Sequence, residues 1–170
     1  MDGLRRLNRL PEPAAREALG RCCGSSRWVA GMLKARPFAG EEELFEAVES
    51  VWRSLDRADW LEAFAAHPRI GDKEAPRSRS ASTRDWAGSE QSGASAASEE
   101  TLEALASGNR RYERRFGHIF IVCAAGKSAS EMLGLLEARL GNKPEAELAL
   151  AAAEQAKITR LRLERLLSEL

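Results

Sequence analysis

The sequence is poor in the residue types that build metal sites and covalent cross-links. Its 170 residues hold three cysteines, Cys22, Cys23 and Cys123, two of them adjacent. An odd count with a vicinal pair is a poor disulfide framework, so free, partly buried thiols are expected. Two histidines, His67 and His118, with no CxxC or HExxH spacing leave no adequate ligand set for zinc or iron, and no metal is expected. Neither sign of charge is in excess, since Lys plus Arg and Asp plus Glu both number 26. Without a net field little would hold the chain on nucleic acid or an anionic membrane, which favours small or polar partners. Long apolar runs are missing too: the longest, residues 119–125 (IFIVCAA), is far short of the roughly 20 residues a membrane-spanning helix needs. No basic start leads into an apolar stretch and a cleavage site, so the expected compartment is the cytoplasm. The length suits one domain over residues 1–170, able to bury a core without disulfides.

What is present is helical pattern and helical punctuation. Residues 11–23 open with prolines and stop at Gly24, and Ser25 or Ser26 can cap the next element. Trp28, Val29, Met32 and Leu33 recur at helical spacing until Arg36-Pro37 ends that helix. From Glu41 to Leu55 three glutamates fill the first turn, and Leu44, Phe45, Val48, Val51, Trp52 and Leu55 form one stripe for the core. Lys73 to Ser98 has the composition of a flexible linker, yet Trp86 is out of place in one, and Thr83 can cap a helix carrying Trp86 and Glu90. Ser98, Glu99 and Glu100 start a helix with Leu102, Leu105, Tyr112 and Phe116 on one face, broken at Gly117. The β-branched run that follows predicts a short extended segment near 119–125. Gly126-Lys127-Ser128 looks like the end of a phosphate-binding loop, but Ile121 stands where that motif needs glycine. Ser128 with Glu131 reads instead as a capping box for a helix closed by Gly141-Asn142, and Pro144 opens the last helix. The expectation is an all-α, single-domain bundle of about eight helices.

Two features carry chemical potential. In DWLEAFAAHPRIGD (59–72), Trp60, Leu61 and Phe64 should bury while Asp59 and Glu62 stay wet, and Pro68 pushes His67 out of helical geometry. His67 is then either a helix-ending residue helped by the C-terminal dipole or an imidazole presented to a cleft. On the last helix, Leu148, Ala151, Gln155, Ile158, Arg162 and Leu166 form one row, interrupted by the charge of Arg162. An arginine on a packing face needs an anion or several acceptors, so a structural ion pair and a ligand contact both remain open. Arg160 and Arg165 lie off the row and should be solvated.

Five blocks together resemble one family: RPF (36–38), DWLEAFAAHPRIGD, WAGSEQSG (86–93), NRRYERRFGHIFIVCAAGKS (109–128) and EQAKITRLRLERLL (154–167). The chain is similar to the OHCU decarboxylases, which act on 2-oxo-4-hydroxy-4-carboxy-5-ureidoimidazoline in uric acid degradation. The resemblance implies an all-helical single domain, no cofactor, a homodimer and a catalytic set of His67, Glu90 and Arg162. Pro68, Gln91 and the run Phe120, Ile121, Val122, Cys123 and Ala124 match the parts that line the substrate. Ala87 stands where many members carry a serine, so a hydroxyl contact is missing or comes from Ser89 or water.

The implied chemistry suits these residues. The substrate is a compact ring with a carboxylate, a hydroxyl and a ureido arm, which a few well-aimed polar groups can hold. Loss of carbon dioxide leaves electron density that the conjugated ring absorbs, and the protein must place a proton on one face to give (S)-allantoin. His67 would move that proton, Glu90 would hold N–H donors, and Arg162 would meet acceptor oxygens. Backbone amides of 120–124 would bind carbonyls if the run is extended. Competing expectations are a non-catalytic helical interaction module and an enzyme of the same fold acting on another ureide.

Overall fold

Helices form where the sequence supplies a cap and an apolar stripe. The computed structural model describes residues 2–71, 86, 89, 90, 92–95 and 97–170. Among them are α1 (Asp2–Arg9), α2 (Glu12–Cys22), α3 (Ser26–Ala35), α4 (Glu41–Arg53), α5 (Arg57–Ala65), α6 (Glu99–Phe116), α7 (Ala129–Arg139) and α8 (Pro144–Glu169), with one isolated turn at Ser92–Ser95 and no β-strand. The fold is all-α, as expected. Lys73, Thr83, Ala87 and Gln91 lie outside the described residues, and with them the linker and Thr83-cap readings. Two compact units divide the chain, Met1–Ala63 with Ala156–Leu170, and Phe64–Gln155. No helix among the described residues is long and apolar enough to cross a membrane.

The first unit buries Leu7, Leu19, Trp28, Met32, Leu44 and Trp52. Ser25 caps α3 by accepting the Trp28 N–H at 3.2 Å. The helix α1 is not foreseen by the sequence pattern, whose first helix starts at residue 11, because only Leu4 and Leu7 mark its buried stripe. The RPF tripeptide holds its end. Arg36 donates through one nitrogen to the carbonyls of Leu7 (2.8 Å) and Leu10 (3.2 Å), groups that a helix C-terminus leaves without partners. Asn8 spans both backbone polar groups of Phe38, at 2.8 and 3.0 Å.

In α5 Phe64 is buried as expected, whereas Trp60 and Leu61 are only half-buried, and the polar face departs from expectation as well. Asp59 is buried rather than wet, and it accepts from Arg27 at 2.8 Å and from the Asp56 amide at 3.1 Å. Burial is tolerated because the carboxylate gains a cation and a helix-start N–H together. Glu62 does stay exposed and accepts from the amide and hydroxyl of Ser26.

The second unit has a core of Ile70, Leu105, Tyr112, Phe116, Phe120, Val122, Met132 and Leu136, among others. Ser98 caps α6 at its start, accepting from the Thr101 N–H at 3.2 Å. Gly117 ends it with φ 75°, a left-handed residue that costs glycine little. After a half-buried Ile119, residues 120–124 run as buried non-helical backbone. The capping box at Ser128 and Glu131 is present in both directions and starts α7.

Candidate active site

In the second unit, His67 is set by the end of α5. Its backbone N–H closes the last turn on Phe64 O at 3.0 Å, and Pro68 prevents the helix from continuing. The half-buried imidazole meets Gln155 on α8, with Nε2 2.7 Å from Oε1. Gln155 itself is fully buried. His118 has a different setting: Nδ1 lies 3.0 Å from the Ile119 carbonyl, and the ring packs against Phe64, Tyr112 and Phe116.

Residues 120–124 are held by side chains, since no strand pairs with them among the described residues. Arg139 donates to the Ile121 carbonyl at 2.7 Å and lies over the Phe120 ring, 4.6 Å from its centroid. Through Nε and its other terminal nitrogen, the same guanidinium grips Glu147 Oε1 at 2.8 and 2.5 Å. Glu147, completely buried, also accepts from the Tyr112 hydroxyl and from Asn142 at 2.8 Å. Burial, followed by the neighbouring carboxylate, pushes the Tyr112 hydroxyl pKa well above its usual value, so it stays a donor. Further along α8, Glu154 accepts the Cys123 N–H at 2.7 Å. Lys127 donates to the Cys123 carbonyl at 2.9 Å.

These contacts correct part of the amide expectation. The Cys123 N–H is taken by Glu154. By contrast, the N–H groups of Phe120, Ile121, Val122 and Ala124 meet no acceptor among the described residues. Unpaired amides in a buried segment are uncommon, and four in one run make a ready hydrogen-bonding edge.

The remaining candidates are placed as follows. Pro68 follows His67 and is half-buried. Glu90 is helical and half-buried in the second unit. In the turn at Ser92–Ser95, Gly93 approaches the bend at Lys127 closely, so that a Cβ there would collide with the Lys127 carbonyl. Ala87 and Gln91 fall outside the described residues. Arg162 belongs to the first unit, buried, with a terminal nitrogen 3.5 Å from the Arg21 carbonyl. Its charge acts on the thiols of Cys22 and Cys23, which burial nevertheless pushes up to about 12 and about 11. All three cysteines are free and buried. Among the described residues, no cluster of histidine, cysteine or carboxylate side chains is arranged to hold a metal ion.

Two concavities are lined by other residues. One of about 300 Å³ in the first unit is lined by Trp28, Phe45, Val48 and Trp52, and one of about 460 Å³ in the second by Arg69, Asn109, Arg110 and Glu113. In the sequence, Arg162 stands out as the charged member of its row on α8, while Gln155 on the same row does not. Arg139, Glu147 and Glu154 are likewise unmarked there. The one available signal was a neutral amide on a mostly apolar row.

A family model described as OHCU decarboxylase matches residues 8–164. The chain belongs to the OHCU decarboxylase family. It is 38% identical over 148 residues to the uric acid degradation bifunctional protein TTL of Arabidopsis thaliana, covering 87% of this chain and 46% of that protein. The chain therefore spans less than half the length of that relative. A 2-oxo-4-hydroxy-4-carboxy-5-ureidoimidazoline decarboxylase of Haloferax volcanii is 29% identical, with 98% of this chain and 97% of that one covered. Among solved structures, a crystal structure of an OHCU decarboxylase in the presence of (S)-allantoin matches with a TM-score of 0.76 and 39% identity, over 89% of this chain and 98% of that one.

Proposed function

We propose that the chain decarboxylates 2-oxo-4-hydroxy-4-carboxy-5-ureidoimidazoline to (S)-allantoin in urate breakdown, without a cofactor. The observation that carries this reading is the buried run of residues 120–124. Four of its N–H groups meet no acceptor among the described residues and suit a small ligand rich in carbonyl and carboxylate oxygens. The bond between the ring and its carboxylate breaks, and carbon dioxide leaves. The electron pair passes into the conjugated ring, and a proton added to one face of the carbon bearing the ureido arm sets the configuration. His67 moves the proton, Glu90 holds ring or ureido N–H groups, and Arg162 stabilises the developing negative charge. Pro68, Ala87, Gln91 and Phe120 to Ala124 line the substrate.

Residues 1–170 act as one domain, and the match of a single family model across 8–164 supports this. The protein works as a cytoplasmic homodimer, and light scattering on the purified protein tests the dimer. The activity is tested by circular dichroism on freshly prepared substrate. Formation of one optical isomer of allantoin faster than the spontaneous racemic decay supports the assignment, and racemic product at the spontaneous rate refutes it.

A further inference from the structure

We infer that Gln155 is the positioning residue of His67 and fixes which ring nitrogen carries the proton. This rests on the reading of His67 as the proton carrier. The amide oxygen of Gln155 is an acceptor only, so the imidazole nitrogen 2.7 Å away must hold a hydrogen. A neutral His67 is therefore the Nε2–H tautomer, and Nδ1 is the atom that takes up and returns the proton. His118 is set the other way, with Nδ1 against the Ile119 carbonyl, so the two histidines of the chain carry their hydrogens on opposite nitrogens.

The division of labour between Glu154 and Gln155 strengthens the argument. The two residues are consecutive and both buried, and they reach Cys123 and His67 respectively. The carboxylate accepts from the Cys123 amide, and the neutral side chain meets the imidazole. A carboxylate at this distance from Nε2 would favour the imidazolium and leave less of the neutral ring to take up a proton. An amide orients the ring without adding charge. Because Gln155 sits mid-helix and is fully buried, its own position varies little, and the ring inherits that precision.

Nitrogen-15 NMR of the imidazoles tests this directly, with His67→Gln used to assign the two rings. In the wild type, neutral His67 is expected as a single Nε2–H form. Gln155→Met keeps the bulk but removes the acceptor, and should bring in the Nδ1–H form while lowering kcat roughly 10- to 100-fold with little change in KM. Gln155→Glu keeps an acceptor oxygen and should retain the Nε2–H. An Nδ1–H wild-type ring overturns the inference, and so does a Gln155→Met protein whose His67 tautomer or kcat is unchanged. An effect on KM alone does the same. Should the wild type fail to turn over the substrate while the tautomers behave as expected, the functional assignment falls and the positioning role stands.

Discussion

Arg139 and Ile121 are joined by a 2.7 Å hydrogen bond from the guanidinium to the backbone carbonyl, and the rest of that guanidinium is committed to Glu147. One buried ion pair thus supports the segment proposed to line the substrate. Its polar groups are satisfied by Tyr112 and Asn142, which is the condition under which such a pair persists in an interior.

Arg139→Met should therefore be costly. It leaves Glu147 buried without its cation and releases the Ile121 carbonyl, a change worth about 3–5 kcal/mol. The Tm measured by calorimetry should fall by roughly 10 °C. Replacing Glu147 by leucine in the same protein should recover part of the loss, because the orphaned charge disappears.

Gly93→Ala should lower stability by about 1–3 kcal/mol in urea unfolding, since its methyl group would meet the backbone carbonyl of Lys127 and backbone has to shift. Gly134 provides the control: a methyl group added there meets nothing within 4 Å, and Gly134→Ala should be neutral or stabilising.

The capping box gives a pH dependence of known sign. Hydrogen bonds from the Ser128 backbone and side chain hold the Glu131 carboxyl below its usual pKa. A carboxyl depressed in the folded state contributes stability above its unfolded pKa of about 4.3, and that contribution is lost as pH falls through the folded value. Wild type should exceed Glu131→Gln in stability at pH 7, and the gap should close as unfolding is repeated down to about pH 3.

His67→Ala should reduce turnover roughly 100- to 10,000-fold, the range for loss of a general acid–base group. Far-ultraviolet circular dichroism should be unchanged, because the half-buried ring lies beyond the end of α5. Retained turnover would remove His67 from the proposed role.

Much of the fold was legible because helix ends announce themselves in sequence. Ser98, Gly117, Ser128 and Pro144 each mark a boundary where the structure has one. The stripe through Leu44, Val48 and Trp52 is buried as its spacing requires. Asp59 was misread because periodicity assigns a carboxylate to solvent, whereas Arg27, 32 positions away, makes burial tolerable. The same reason hid the clamp. Arg139 looks like an ordinary basic residue in a last helical turn, and only the fold brings the Ile121 carbonyl to it. Gln155 was visible as a member of a buried row, but one helix's pattern says which face is covered and not what covers it.

The helix α8 also acts as a ruler. Glu147 near its start anchors the clamp on 120–124, and Gln155, about two turns later, meets His67. At about 1.5 Å per residue the two grips are roughly 12 Å apart along one axis. Inserting or deleting a single residue between them would rotate Gln155 by roughly 100° relative to Glu147 and break one grip or the other. Substitutions can tune each grip separately, while the spacing between them is set by the helix itself.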